Sequence, residues 1–174
     1  GDLNFNRIVP DMISSILIGK ELKIRSDGKF LRDYVYIPDV INGYLLAGEN
    51  VHKGDVNGQA FNFSPGKATS VLEITNEIIR LMGSDAKPTI LNQVKHEIKD
   101  QYLSCEKARK LLGWKPKYTL EEGLVETIEW YRKHFRGRET KKVLVTGGTG
   151  FLGKALVRRF KKSGVDVCAF GGPE

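Results

Sequence analysis

The sequence predicts an α/β protein on three observations. Short apolar strand patterns alternate with amphipathic helical patterns along most of the 174 residues. Two capping boxes, Ser70–Glu73 and Thr119–Glu122, mark the starts of helices. A glycine-rich turn at residues 147–153 lies between a strand pattern and a helical pattern, an order that is typical of the start of a dinucleotide-binding βαβ unit.

The first 63 residues carry clear signals for helix and strand ends. Proline stands in the first turn of two helical patterns, where its missing N–H does no harm, and glycine follows each of them. Asp39 is expected to stabilise the N-terminus of the second helix. The predicted elements are a helix from Pro10 to Gly19, strands at 22–25 and 30–37, a helix from Pro38 to Gly48, and a strand at 59–63.

Helices dominate the stretch from residue 70 to residue 135. Serine or threonine begins each helical pattern, and glycine ends the first two. Three helices are predicted, from Ser70 to Gly83, from Ser104 to Leu112 and from Thr119 onward, with a short strand at 89–91 and an extended segment at 97–103 between the first two.

The sequence changes character at residue 136. Residues 136–140 are polar and aperiodic, which predicts a linker. Residues 141–174 predict a strand, a helix and a second strand at 165–170. Such a glycine unit normally opens a domain, yet only 21 residues follow Gly153. We therefore interpret the chain as a junction between two units, with the linker separating residues 1–135 from residues 141–174.

Composition limits the functional classes. Hydrophobic residues make up 40% and charged residues 28%, which is ordinary for a globular domain. No run approaches the roughly 18 apolar residues of a membrane span, so no membrane partner is expected. Cys105 and Cys168 lie far apart and the three histidines are isolated, so we expect neither a disulfide framework nor a metal site. These features favour a cytoplasmic protein.

The net charge of +7 raises the question of nucleic-acid binding. Residues 136–162 contain nine of the cations and a single anion, so the remainder of the chain is close to neutral. A linker and the solvated face of one amphipathic helix account for that cluster. No aromatic platform or zinc spacing accompanies the charge, and no nucleic-acid partner is expected.

Three stretches of the first 135 residues resemble a known family. Residues 26–39, Ser-Asp-Gly-Lys-Phe-Leu-Arg-Asp-Tyr-Val-Tyr-Ile-Pro-Asp, resemble its G-D-G-x-x-x-R-D-[FWY]-x-[YH]-V-x-D segment. Residues 61–64 are similar to Y-N-I-G, and residues 104–116 to S-K-A-x-x-x-L-G-W-x-P. The family is the extended short-chain dehydrogenases/reductases that act as nucleotide-sugar epimerases and dehydratases. Residues 1–10 and 100–104 look most like the CDP-glucose 4,6-dehydratases of that family.

The resemblance implies a more specific fold class and set of partners. The chain would be the C-terminal substrate-binding part of an extended short-chain dehydrogenase/reductase plus a partial Rossmann β-α-β unit. Its ligand would be a nucleoside-diphosphate sugar. The parent enzyme would use NAD or NADP and would be a homodimer.

Five residues match family positions near the substrate. By resemblance, Arg32 contacts the diphosphate, and Arg7 is a basic residue near the substrate. Ile24 and Arg25 match positions that contact the base and ribose, and Tyr102 lies near the last segment that contacts the substrate. A planar guanidinium suits phosphate, but an ion pair with Asp33 is the alternative for Arg32. A solvated helix end is the alternative for Arg7, and a structural strand edge for Ile24 and Arg25. Where the family often has a further Arg, the chain has Lys95, His96, Glu97 and Lys99.

The family's catalytic pair is absent from the sequence. In that family a Tyr-x-x-x-Lys pair removes a proton from a sugar hydroxyl, because the lysine lowers the pKa of the tyrosine. None of the six tyrosines has a lysine four positions later. We therefore assign no catalytic residue and expect little or no turnover by the chain alone.

The glycine turn resembles the T-G-x-x-G-x-x-G segment of the same family. Gly147 would form the tight turn, Gly150 would let backbone amides approach a pyrophosphate, and Gly153 would let helix and strand pack closely. Phe151 and Leu152 complete the predicted cofactor-binding set. No acidic residue follows Phe170 directly, so NAD and NADP both stay open.

The main functional hypothesis is a substrate-binding fragment of a nucleotide-sugar 4,6-dehydratase joined to the beginning of a second family member. One alternative is a fragment of a nucleotide-sugar epimerase or reductase. Another is a nucleotide-binding module without chemistry, and a third is a basic interaction module.

Overall fold

A computed structural model describes residues 2–94, 97–136 and 143–171. The chain divides into two compact units, residues 1–131 (unit 1) and residues 132–174 (unit 2). The division falls inside a helix that continues to Arg136. Of the predicted linker, residues 137–140 lie outside the described residues, so the linker stays a prediction.

Unit 1 is a mixture of helices and very short strands, which confirms the α/β prediction. The helices begin close to the predicted caps, because capping is a local property of the sequence. In chain order the elements are α1 Ile8–Leu17, β1 Lys23–Ile24, β2 Leu31–Arg32, α2 Ile37–Asn50, β3 Thr69–Ser70, α3 Val71–Met82, β4 Thr89–Ile90, β5 Asp100–Gln101, α4 Glu106–Leu112 and α5 Leu120–Arg136.

Two small sheets organise unit 1. Strand β1 pairs in parallel with β4. Strand β2 lies between β3, which is antiparallel to it, and β5, which is parallel to it. In that register Arg32 is paired with Thr69 on one side and Gln101 on the other. The central strand of this sheet therefore fixes the backbone of Arg32.

The strand predicted at residues 59–63 is wrong. Residues 60–63 form no backbone hydrogen bond with any residue that the structure describes, so they are not part of a sheet. Phe61 and Phe63 instead pack against a buried cluster around Trp114. The strand predicted at 30–37 is also shorter than expected, since only Leu31–Arg32 pairs.

The capping boxes are confirmed. The Ser70 hydroxyl accepts a hydrogen bond from the Glu73 backbone N–H at 3.1 Å, and the Glu73 carboxylate accepts one from the Ser70 N–H at 2.7 Å. Helix α3 ends at Gly83, which adopts the left-handed conformation (φ 63°). The predicted cap of α4 was one residue too early: Cys105 and not Ser104 precedes the first turn, and the Ser104 hydroxyl accepts only a long hydrogen bond from Glu106 N–H.

Asp39 lies where it was predicted to stabilise the start of α2, and it has a further role. It lies in the first turn of α2 and is only 1% exposed. Its carboxylate accepts hydrogen bonds from the backbone N–H groups of Lys117 (2.8 Å) and Tyr118 (3.3 Å), while its carbonyl oxygen accepts one from Trp114 Nε1 (2.9 Å). Asp39 therefore ties α2 to the segment that precedes α5.

Unit 2 contains the predicted strand, helix and strand. They are β6 Val143–Thr146, α6 Phe151–Lys162 and β7 Val167–Phe170, the last of which starts two residues later than expected. The strands are parallel, with Val143 paired to Val167 and Thr146 to Phe170. A parallel pair joined through a helix is the first part of a βαβ fold.

Candidate functional site

The candidate site in unit 1 is a cleft of about 750 Å³ between the start of α1 and strands β1 and β2. Four cationic residues line it, and we call it the cationic cleft: Arg7, Lys23, Arg25 and Arg32. Asp11 and Glu97 line it as well. Its volume is within the range of small-molecule sites, and its excess of cations suits an anionic ligand.

Arg32 is held in the cleft by backbone carbonyl groups. Its Nη1 donates to the carbonyl oxygens of Leu31 (2.7 Å) and Lys99 (3.0 Å), and its Nη2 donates to that of Ile98 (2.8 Å). Three of the five guanidinium hydrogens are thus engaged. Two remain for a ligand, and the group itself is fixed in position before any ligand arrives.

The ion pair between Arg32 and Asp33 is not found. The Asp33 carboxylate accepts a hydrogen bond from the Leu103 N–H at 3.1 Å. Within the described parts of unit 1, Arg32 has no acidic side chain within ion-pair distance. Its hydrogen-bond partners are neutral carbonyl groups, so among the described residues no carboxylate within ion-pair distance neutralises the guanidinium charge.

Arg7 and Arg25 reach the same cleft from less constrained positions. Arg7 precedes α1, is exposed, and forms an ion pair with Asp2 at 2.9 Å. Arg25 Nη2 donates to the Asn6 carbonyl oxygen at 3.4 Å. An exposed ion pair contributes little to stability, and the hydrogen bond of Arg25 is long, so both side chains can re-orient toward a ligand at little cost in free energy.

Ile24 and Tyr102 differ from the other predicted residues. Ile24 borders the cleft, but the residue is only 1% exposed, so a ligand can reach little beyond its backbone. Tyr102 follows β5, is exposed, and does not line this cleft. Lys95 and His96 lie outside the described residues. The structure therefore brings together Arg7, Ile24, Arg25 and Arg32, but not Tyr102.

Tyr34 is a site residue that the sequence reasoning missed. It lines both the cationic cleft and a second cavity of about 540 Å³ with mostly apolar and aromatic walls. Its hydroxyl is buried and has no hydrogen-bond partner among the described residues. Burial raises the pKa of Tyr34 to about 12, although the nearby Arg32 charge acts in the opposite direction. Its spacing was a usable signal, because residues two apart on an extended segment face the same side.

The high pKa of Tyr34 predicts that stability falls as the pH rises from 10 to 12. In that window the unfolded chain has lost the phenolic proton that the folded chain keeps, so alkali favours unfolding. Tyr34→Phe is expected to make the fall shallower. Some slope remains, because the hydrogen bond from the Tyr36 hydroxyl to Glu126 (2.7 Å) also raises the pKa of Tyr36 to about 12.

Urea unfolding at several pH values measures this slope. Tyr102→Phe is the matched control, since Tyr102 is an exposed tyrosine that does not line the cationic cleft. An identical slope for the parent chain and Tyr34→Phe would contradict the assignment.

In unit 2 the glycine turn joins β6 to α6. Gly147 adopts a left-handed conformation (φ 70°), and Gly150 precedes the first turn of α6. A Cβ atom on Gly153 would collide with the carbonyl oxygen of Gly147. The first N–H groups of any helix lack carbonyl partners within it, and together with the helix dipole they attract anions.

Three further observations concern the residues of unit 2 that were predicted to bind the cofactor. Phe151 is 98% exposed and Leu152 is exposed as well, so only their backbone groups are held at the turn. A Cβ atom on Gly171 would collide with the Thr149 side chain, so the glycine turn and the end of β7 are in contact. Phe170 and Gly171 carry no carboxylate, and residues 172–174 lie outside the described residues.

The described residues were also searched for metal sites and for membrane-spanning helices. They include no group of three or more His, Cys, Asp or Glu side chains that is placed to hold a metal ion. Within the same residues, no helix has both the length and the apolar character needed to cross a bilayer.

Comparison with known proteins relates both units to one family. The profile of the NAD dependent epimerase/dehydratase family matches residues 1–63 and 143–171. The trifunctional UDP-glucose 4,6-dehydratase/UDP-4-keto-6-deoxy-D-glucose 3,5-epimerase/UDP-4-keto-L-rhamnose-reductase of Arabidopsis thaliana is 33% identical over 129 residues, which is 74% of this chain and 19% of that protein.

Two solved structures are similar to the chain. UDP-glucose 4-epimerase from Thermotoga maritima with UDP-glucose has a TM-score of 0.68 and 35% identity, over 74% of this chain and 40% of that one. dTDP-glucose 4,6-dehydratase from Bacillus anthracis in complex with NAD has a TM-score of 0.62 and 30% identity, over 75% and 40%. The chain thus spans about two fifths of these structures and matches their C-terminal part. It belongs to the NAD-dependent epimerase/dehydratase family.

Proposed function

We propose that the chain contributes the nucleotide-sugar-binding part of an NAD-dependent 4,6-dehydratase. We further propose that the sugar is carried by CDP and that the setting is cytoplasmic. The observation that carries the proposal is the fixed guanidinium of Arg32 in the cationic cleft. It has two free N–H donors and no acidic partner among the described residues. A diphosphate supplies the charge and the oxygen acceptors that such a group lacks.

The residues of the cleft bind and orient the substrate. Arg32 holds the diphosphate through its two remaining N–H groups, and Arg25 and Arg7 add positive charge on either side. Tyr34 lines the cleft beside these cations. The chain has no Tyr-x-x-x-Lys pair to remove a proton. Binding and catalysis are therefore assigned to different parts of the whole enzyme.

Unit 2 is proposed to begin a second family member. Two separate profile matches, in residues 1–63 and 143–171, support this arrangement. The Arabidopsis relative supports it too, since its name gives three activities to one chain. Gly147, Gly150 and Gly153 fit a pyrophosphate at the start of α6, and the backbone of Phe151 and Leu152 borders it. NAD supplies a hydride acceptor when it is bound, and the solved dehydratase of similar structure contains NAD.

Arg32→Ala is expected to weaken the binding of CDP about tenfold to a hundredfold. Hydrogen bonds to a charged group contribute about 1.5 to 3 kcal/mol each, and the substitution removes those to the diphosphate. Isothermal titration calorimetry with CDP measures the change. Arg32→Lys keeps the charge but loses the planar donor pair, so an intermediate affinity is expected.

Arg109→Ala is the matched control, because Arg109 lies on α4 and lines neither of the two cavities described above. Equal affinities for the parent chain and Arg32→Ala would reject the assigned role. A parallel series with UDP and dTDP tests the base. Tighter binding of UDP than of CDP would favour the epimerase alternative, for which the Thermotoga structure is the specific support.

The isolated chain is expected to show no dehydration of CDP-glucose in the presence of NAD. The physical reason is the missing proton-removing pair. The assay is the absorbance of the 4-keto product after alkali treatment, with a complete 4,6-dehydratase as the positive control. Product formed by the 174-residue chain would refute this prediction.

A further inference from the structure

Asp11 is a carboxylate in the cationic cleft that the binding of a diphosphate does not use. It lies in the first turn of α1 and lines the cleft. Among the described residues no Lys or Arg side chain lies within ion-pair distance of it, although most charges of the cleft are positive. Its Oδ1 accepts a hydrogen bond from the Ser15 hydroxyl at 3.3 Å, and Ser15 is only 6% exposed. A buried neighbour thus holds this carboxylate in place.

Glu97 is the other carboxylate that could contact a ligand in the same part of the molecule. It lines the cleft but is exposed, and its side chain accepts no hydrogen bond from a residue that the structure describes. Asp11 is partly buried, lies on a helix and is held by Ser15. Because a group that is already in position loses less conformational freedom on binding, Asp11 is the better acceptor of the two.

The position of the diphosphate decides which part of the ligand reaches Asp11. Arg32 lies on β2, whereas the Arg25 side chain, just after β1, reaches the Asn6 carbonyl oxygen just before α1. The hexose has to extend out of the cleft, because the chain has no Tyr-x-x-x-Lys pair to act on it. The part of the cleft between α1 and β1 is therefore left for the nucleoside.

The pyrimidine bases differ in the group at position 4 of the ring. Cytosine has an amino group there, which donates hydrogen bonds, whereas uracil and thymine have an oxygen, which accepts them. An ionised carboxylate only accepts, so it suits cytosine and repels the oxygen of uracil. The cations of the cleft on their own would favour uracil, and a fixed carboxylate reverses that preference.

We propose that the Asp11 carboxylate accepts a hydrogen bond from the amino group of cytosine and thereby selects CDP over UDP. The proposal rests on the proposed function, which places a nucleoside diphosphate in the cationic cleft. Arg32 sets the affinity for the diphosphate, which CDP and UDP share, and Asp11 sets the ratio of the two affinities. If Asp11 only stabilised the start of α1, its substitution would change both affinities equally.

Isothermal titration calorimetry with CDP and with UDP tests the proposal. The parent chain is expected to bind CDP about tenfold to a hundredfold more tightly than UDP. Asp11→Asn is expected to bring this ratio to about one, because an amide can accept from the cytosine amino group and can also donate to the uracil oxygen. The amide has nearly the shape of the carboxylate, so the fold is expected to persist, and circular dichroism checks this.

Two further variants separate the base from the diphosphate. Arg32→Ala is expected to weaken CDP and UDP equally and so to leave the ratio unchanged. Asp85→Asn is the matched control, because Asp85 is exposed and lines neither of the two cavities described above; both affinities are expected to stay as in the parent chain.

Three results would overturn the role of Asp11. They are a parent chain that binds UDP as tightly as CDP, an unchanged ratio in Asp11→Asn, and a ratio that is lost in Glu97→Gln instead. Each of them can occur while Arg32→Ala still weakens both nucleotides, in which case the diphosphate site stands and only the reading of the base fails. Binding of neither nucleotide would reject the proposed function and this inference together.

Discussion

Asp39→Ala is expected to lower the free energy of unfolding of unit 1 by about 2 to 4 kcal/mol. The carboxylate is buried, and it is the acceptor for the backbone N–H groups of Lys117 and Tyr118. Alanine would leave both N–H groups without their carboxylate acceptor, or water would have to enter the site to replace it. The substitution would also release α2 from the segment before α5.

Urea unfolding followed by circular dichroism measures the effect of the Asp39 substitution. Asp39→Asn is expected to lose less, because its amide oxygen still accepts one of the two hydrogen bonds. Asp85→Ala is the control, since Asp85 is exposed and its loss is expected to be within experimental error. A loss for Asp39→Ala no larger than that for Asp85→Ala would show that the carboxylate does not hold the two segments together.

Gly153→Ala is expected to disrupt the glycine turn of unit 2. The added Cβ atom would overlap the backbone carbonyl of Gly147, which is part of the turn and cannot rotate away as a side chain can. Overpacking against backbone is expected to reduce local stability by at least about 2 kcal/mol. The loss of local stability is expected in β6 and α6, which the turn connects.

Hydrogen exchange of the amides in β6 measures this loss without requiring a global transition. Gly54→Ala is the matched control, because a Cβ atom on Gly54 would meet no atom within 4 Å. We expect clear protection of Leu144 and Val145 in the parent chain and the Gly54 variant, and a marked loss in Gly153→Ala. Equal protection in all three would contradict the close packing of the turn.

The helices were predictable because the residues that begin and end each helix lie next to it in the sequence. The hydroxyl of Ser70 and the carboxylate of Glu73 meet across three residues, and Gly83 needs only its own backbone freedom to end α3. The strands were less predictable, because a strand exists only where a partner is present. Residues 59–63 have the right pattern but no partner among the described residues, so the predicted strand does not form.

The site was predictable only in part for the same reason. The motif around Arg32 indicated a phosphate ligand, but the carbonyl groups that hold its guanidinium belong to Ile98 and Lys99, some 66 residues further along the chain. The role of Asp39 depends in the same way on Lys117 and Tyr118. Contacts over such separations follow from tertiary packing, which no local pattern encodes.

The most direct test of the proposed diphosphate site is a crystal structure of the chain with CDP-glucose bound. We expect the diphosphate in the cationic cleft, with one of its oxygens within about 3.2 Å of the two Arg32 nitrogen donors that remain free. The contacts of Arg32 with the Leu31, Ile98 and Lys99 carbonyls should persist. A diphosphate bound away from Arg32, or a cleft left empty at saturating ligand, would contradict the role proposed for Arg32.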